Sequence, residues 1–120
     1  MAAPNKKPPG QSNARTLYSN YRGRSQRRAI KFDLTFEEFL EITQKDCYLC
    51  GSPPHQVHRG VRRNGDYIYN GIDRINNKKG YIKGNVQPCC KVCNYIKGTL
   101  TLKELEPRLK YILSYLWRRA

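Results

Sequence analysis

Residues 71–97 read GIDRINNKKGYIKGNVQPCCKVCNYIK, and the order of residue types within them decides how the rest of the chain is read. Just upstream, the aromatic and β-branched residues from Asp66 to Ile75 alternate as in a strand, which then carries Asp73. Asn76 to Gly80 supply a turn, a short return strand runs around Asn85, and the segment after Pro88 predicts a helix through Lys97 with Gly98 as its stop. A hairpin packed on a helix aims Asp73 and Asn94 at one hard cation, because carboxylate and amide oxygens are what Mg²⁺ takes. The cysteines between them point to a different metal.

The chain has five cysteines, four of which form two CxxC pairs, Cys47 with Cys50 and Cys90 with Cys93. A disulfide framework normally uses an even number of cysteines in a secreted chain, whereas two CxxC pairs separated by a loop supply four thiolates for a tetrahedral structural Zn²⁺. Gly51 permits the tight turn that two thiolates on one metal require. Cys89 is then a spare, small and buried, because the spacing selects Cys90 as the partner of Cys93. A redox dithiol pair is the competing reading of the same cysteines.

Composition narrows the class. The 120 residues suit one domain with a modest core, and the 23 Lys and Arg against 9 Asp and Glu give a formal charge of +14. Such a balance calls for a polyanionic partner, since neutralising phosphates releases counterions, and nucleic acid is the first candidate. No run approaches the roughly 18 apolar residues of a membrane-spanning helix and none resembles a signal peptide, so a soluble intracellular protein without a membrane partner is expected.

The string NGIDRINNKKGYIKGNVQPCCKVCNYIK, with the upstream CYLCG, resembles the HNH endonucleases, also called ββα-metal or His-Me finger nucleases, in a variant that reads IDR where most members read DH. The resemblance covers roughly residues 15 to 115. It implies an α+β fold, a small zinc-anchored ββα-metal domain with flanking helices, and endonucleolytic hydrolysis of DNA with catalytic Mg²⁺ or Mn²⁺. By the same resemblance Asp73 is the metal-binding acid, Asn85 the asparagine that braces the loop, and Asn94 the last metal ligand. Arg74 occupies the place where most relatives carry the general-base histidine, and a guanidinium with a pKa above about 12 cannot take a proton near neutrality.

Outward from this stretch, residues 1–13 read as a flexible basic tail and residues 14–120 as a single domain. The segment from Arg15 to Lys31 sets Leu17, Tyr18, Tyr21 and Ile30 among Arg22, Arg24, Arg27 and Arg28, a block expected to meet phosphates together with Arg62, Arg63, Lys78 and Lys79. Thr35 and Glu38 form a capping-box pattern ahead of the apolar stripe Phe36, Phe39 and Leu40. Residues 52–65 read as a basic surface loop holding the two histidines, His55 and His58. Thr101 and Glu104 repeat the capping box, and the leucine stripe that follows predicts a helix packed back on the Phe36 helix, a homodimer seam being the alternative.

Phosphodiester hydrolysis needs an activated water, and with Arg74 in the base position the candidates for activating it are His58, His55, Tyr69, Tyr81 or a metal-bound hydroxide. Arg74 itself is expected to donate to phosphate oxygens. The rival from another class is a zinc-stabilised nucleic-acid-binding or ribonucleoprotein component that keeps the fold without the chemistry. A monomer or homodimer, homing, restriction or phage packaging, and a phage- or virus-encoded origin all fit this reading.

Overall fold

The computed structural model describes residues 10–60 and 65–120, so Arg62, Arg63 and most of the basic tail lie outside the described residues. In chain order the elements are α1 (Gln11–Arg27), β1 (Phe32–Asp33), α2 (Phe36–Thr43), β2 (Gln56–His58), β3 (Tyr67–Tyr69), β4 (Gly71–Arg74), β5 (Tyr81–Ile82), β6 (Val86–Cys89), α3 (Lys91–Lys97) and α4 (Leu102–Arg119). The strands pair two by two: β1 parallel to β5, β2 antiparallel to β3, and β4 antiparallel to β6. The β4–β6 hairpin followed by α3 is the ββα unit.

The segment read as a basic block is the helix α1, and it belongs to the core. Ala14, Leu17, Tyr18 and Tyr21 recur at helical spacing and pack on Leu34, Phe36, Phe39 and Ile72, while the arginines stay on the outer face. Tyr18 meets Phe32, Phe36 and Phe39 edge-on, with ring centroids 5.5, 5.6 and 5.4 Å apart, the arrangement that brings a positive ring edge to a negative ring face. The helix starts at Gln11. Asn13 is fully buried and donates to the Gly65 carbonyl, so the last residues assigned to the tail are part of the domain.

The capping box at Thr35 forms as its spacing predicts: Glu38 N donates to Thr35 Oγ1 at 3.1 Å and Thr35 N to Glu38 Oε1 at 2.8 Å. The box at Thr101 forms as well. Residues 52–65 depart from the expected loop, because β2 pairs with β3 in the register Gln56 to Tyr69 and His58 to Tyr67. The long strand expected from Asp66 to Ile75 is divided at Asn70. There the backbone N–H turns away to Thr43 O at 2.8 Å, and the buried side-chain amide donates to Lys45 O at 2.9 Å and Ser52 O at 3.2 Å. This residue joins the end of α2 to the CYLC knuckle.

Gly80 is required by a close approach. A Cβ built there would lie 2.2 Å from Lys31 O, the carbonyl that receives Tyr81 N at 2.8 Å and starts the β1–β5 pairing.

α4 does not pack on α2. Among its described residues only Leu105 is buried, and Leu109, Ile112, Leu113, Leu116 and Trp117 are exposed. The short connection from Gly98 to Thr101 sends the helix away from the hairpin, and the molecule measures 63 × 34 × 21 Å. The leucine spacing makes the helix amphipathic but does not choose its partner.

Phe39 touches α1 from the centre of the aromatic cluster and is fully buried. Phe39→Ala is expected to lower unfolding free energy by about 3–5 kcal/mol, measured by urea denaturation of metal-loaded protein. A loss under about 1 kcal/mol would contradict this core assignment.

Candidate nuclease site

Two structures converge on the ββα unit, a thiolate cluster below it and a carboxylate centre within it. Cys47 and Cys50 come from the knuckle after α2, Cys90 caps α3 and Cys93 lies in its first turn. Their four sulfurs lie within 4.8 Å of one another, with Cys50 and Cys90 Sγ 3.8 Å apart. Sulfurs bound tetrahedrally at about 2.3 Å from one ion stand about 3.8 Å from each other, so the set fits a metal such as zinc. Burial pushes the Cys47 thiol up, but the backbone amides of Cys90, Cys50 and Leu49 outweigh it and hold the thiol down at about 6. Cys93 is pushed up by burial and by its thiol neighbours, the strain that a cation among them relieves. Cys89 is fully buried, lies outside this four-sulfur set, and is raised to about 12 chiefly by burial.

Asp73 faces α3 from the middle of β4 and is 6% exposed. Its Oδ2 receives the Tyr48 hydroxyl at 2.7 Å and lies 3.0 Å from Lys97 Nζ. Lys97 is 1% exposed, and its ammonium has no other partner among the described residues, so the contact is an ion pair rather than a well-directed hydrogen bond. Both contacts fall on one oxygen. Among the described residues no hydrogen bond reaches Oδ1. Asn94 stands three residues before Lys97 on α3, hence on a neighbouring strip of the helix surface. Tyr48 sits between the ligands Cys47 and Cys50, and its backbone N–H is fixed to Pro88 O at 2.8 Å. Burial first, and the Asp73 hydrogen bond second, push its hydroxyl up, so it stays a donor.

Asn85 closes the loop that joins the strands. Its Oδ1 accepts from Asn76 N at 2.9 Å, and its Nδ2 donates to Asn76 O at 3.1 Å and Gly80 O at 2.8 Å. Arg74 works on the same loop from the other side. Its Nη1 donates to Asn77 O at 3.1 Å and Lys79 O at 3.2 Å, and its guanidinium lies 5.3 Å from the Tyr81 ring centroid. These contacts engage Nη1 alone and tie the side chain to the loop, and they leave the Nε and Nη2 donors of the guanidinium for the expected contact with phosphate.

Two adjoining clefts open beside Asn94. One, of about 230 Å³, is lined by Tyr21, Arg24, Ser25, Arg28, Ile72 and Tyr81 as well as Asn94. The other, of about 430 Å³, includes Tyr21, Gln56, Gly71, Lys91 and Tyr95. Arg24 and Arg28 thus face the cleft, Arg27 lines a neighbouring groove with Tyr69, and Arg22 is exposed but lines none of these. Lys78 and Lys79 are exposed on the hairpin loop. His58 lines neither cleft. It is half-buried on β2 with an unpartnered Nδ1, two residues from Gln56 and so on the same strand face. His55 is exposed and bonded to Pro53 O. Sequence reasoning missed Lys97, Tyr48 and Gln56, and it placed Tyr21 only within the basic block of α1. A lysine three residues after Asn94 and a tyrosine within a CxxC were the available signals for the first two.

No known family profile matches the chain. It is 38% identical over 95 residues to an uncharacterised protein of Acanthamoeba polyphaga mimivirus, covering 79% of this chain and 16% of that protein, so it spans about one sixth of the relative's length. Among solved structures it superposes on the rare-cutting HNH restriction endonuclease PacI with a TM-score of 0.60 at 21% identity, over 98% of this chain and 90% of that one. The fold is therefore α+β and HNH-like, with a cysteine cluster suited to anchoring it through a metal. Among the described residues no helix is long and apolar enough to cross a membrane.

Metal retention should follow pH with a defined sign. The Cys47 thiol is lowered from 9.0 to about 6, so its contribution to stability is full above the unfolded value and is lost as pH falls through about 6. Metal release and loss of tertiary structure are expected together on acidification, and Cys47→Ser or Cys93→Ser should leave the protein poorly folded. Well-folded, metal-free protein at neutral pH would contradict the assignment, as read by elemental analysis and near-UV circular dichroism.

Proposed function

We propose that this chain is a divalent-metal-dependent endonuclease that hydrolyses phosphodiester bonds in double-stranded DNA, with Zn²⁺ in the cysteine cluster and Mg²⁺ or Mn²⁺ at Asp73 and Asn94. The observation that carries the reading is the placement of Asp73 opposite α3, with Oδ1 taking no hydrogen bond among the described residues, next in β4 to Ile72, which lines the cleft shared by Asn94, Arg24 and Arg28. A divalent ion there supplies Lewis-acid stabilisation of the scissile phosphate and its departing 3′-oxygen. The HNH-like fold supports the assignment by analogy.

In this reading the chain's own groups position and neutralise. Asn85 and Arg74 hold the hairpin loop, Tyr48 fixes the Asp73 carboxylate, and Arg24 and Arg28 bind the backbone phosphates on either side of the cut. Arg22, Arg27, Lys78 and Lys79 extend the phosphate-binding surface, with Arg62 and Arg63 assigned to it from sequence. Burial raises Tyr21 to about 12 and, to a lesser extent, raises Tyr69, which disfavours both as bases near neutrality. His58 is assigned the proton-accepting role, from the cleft-side face of β2. His58→Gln should then lower the cleavage rate at least about 10²-fold, measured on plasmid, while leaving DNA affinity unchanged.

A second reading, a nucleic-acid-binding component without cleavage, is favoured by one observation: Lys97 already balances the Asp73 charge. That pair also changes how the test must be built. Asp73→Ala alone leaves a buried ammonium uncompensated, at a cost of about 3–5 kcal/mol, so that variant would lose stability as well as the carboxylate. Asp73→Asn combined with Lys97→Met removes both charges. Wild-type protein is expected to cut plasmid with Mg²⁺ or Mn²⁺, and the double variant to lose at least about 10²-fold in rate while keeping its fold and its steeply salt-dependent DNA affinity. No cutting by the wild type with any divalent ion, alongside tight binding, assigns the binding role instead.

A further inference from the structure

Lys97 is the most deeply buried charge in the described protein, and nothing in its surroundings explains it except Asp73. A buried lysine is retained only where its charge is balanced. Here the balance comes from one carboxylate oxygen at 3.0 Å, and among the described residues no backbone carbonyl or second acid completes the ammonium's hydrogen bonds. A structural ion pair at such depth would be expected to satisfy those donors.

We propose that Lys97 is an internal stand-in for the divalent cation, which neutralises Asp73 while the metal is absent and sets how tightly the metal is held when it arrives. The inference rests on the nuclease reading for the place of the metal, but not on cleavage. Three features of the geometry support it. Lys97 and Tyr48 both take Oδ2, so the carboxylate is held by one edge and presents the other. Lys97 lies on α3 three residues after Asn94, so the stand-in and the residue proposed as the second metal ligand belong to one helix and to neighbouring strips of its surface. Finally, α3 is capped by Cys90 and carries Cys93, and Tyr48 lies in the other knuckle, so both partners of the carboxylate are fixed to the thiolate cluster.

The consequence is a competition. A divalent ion entering beside Asp73 meets a fixed positive charge a few ångströms away, in surroundings that screen it poorly. Lys97 therefore lowers divalent affinity while keeping the metal-free protein folded. Removing the ammonium reverses both effects, leaving a buried anion that only the ion can neutralise.

The test uses zinc-loaded protein and Mn²⁺ as the probe, with binding read by electron paramagnetic resonance and stability by thermal melts. Lys97→Met should bind Mn²⁺ at least tenfold more tightly than wild type, and its melting temperature should rise with the logarithm of Mn²⁺ concentration more steeply than that of wild type. Should the metal-free Met variant fold too poorly to titrate, Lys97→Gln, which keeps a donor near Oδ2, carries the same expectation. Adding Asp73→Asn to either variant should abolish the gain, which places the ion at the carboxylate. Unchanged or weaker Mn²⁺ binding in both Lys97 variants, with zinc retained, overturns the proposal. A tighter-binding variant in a protein that cuts no nucleic acid supports it and removes only the nuclease reading.

Discussion

The four-thiolate cluster is the constraint on which the described structure depends. The apolar core is small and aromatic and sits between α1, α2 and the outer face of the hairpin. It makes no claim on the orientation of α3, whose seven residues could not persist as a helix in isolation. Convergence of Cys47, Cys50, Cys90 and Cys93 supplies that orientation. A metal held by these four sulfurs would join the end of the α2 segment to the start of α3, the two segments that carry Tyr48 and Lys97 to the same oxygen of Asp73. The thiolate cluster and the carboxylate centre are in this sense one construction, and the folding energy that a metal would supply at the cluster would also hold a buried carboxylate in place.

The site combines rigidity with an unusual charge arrangement. The loop between the hairpin strands is held by Asn85 through three hydrogen bonds and by Arg74 through two. An arginine at this position thus has a local task that a histidine, with two ring nitrogens, could not perform in the same way. The basic residues of α1 reach the cleft because the aromatic face of that helix is locked into the core. Core packing and the charge of the cleft are therefore set by opposite faces of one helix.

Much of this was legible in the amino-acid order, for local reasons. Capping boxes at Thr35 and Thr101 and the paired CxxC motifs involve residues two or three apart, and their partners follow from backbone geometry alone. The start and stop of α3 belong to the same class. What sequence reasoning did not reach depends on contacts across the chain. Lys97 meets Asp73, and Tyr48 meets the same oxygen from 25 positions away. The β2–β3 pairing that converts a presumed loop into strand is likewise non-local, as is the direction of α4. The arginines of α1 masked its apolar stripe, because a charge-rich window dilutes a signal carried by Leu17, Tyr18 and Tyr21.

The central claim is that the cluster holds Asp73 and Asn94 as one site for a hard cation. Substoichiometric Mn²⁺ added to isotopically labelled, zinc-loaded protein measures it directly, since the ion broadens nearby amide resonances in proportion to proximity. The account predicts that the backbone amides of Gly71 to Arg74 and the side-chain amide of Asn94 broaden first. Broadening that begins at the exposed acids of α2, Glu37 and Glu41, and spares the hairpin would contradict it.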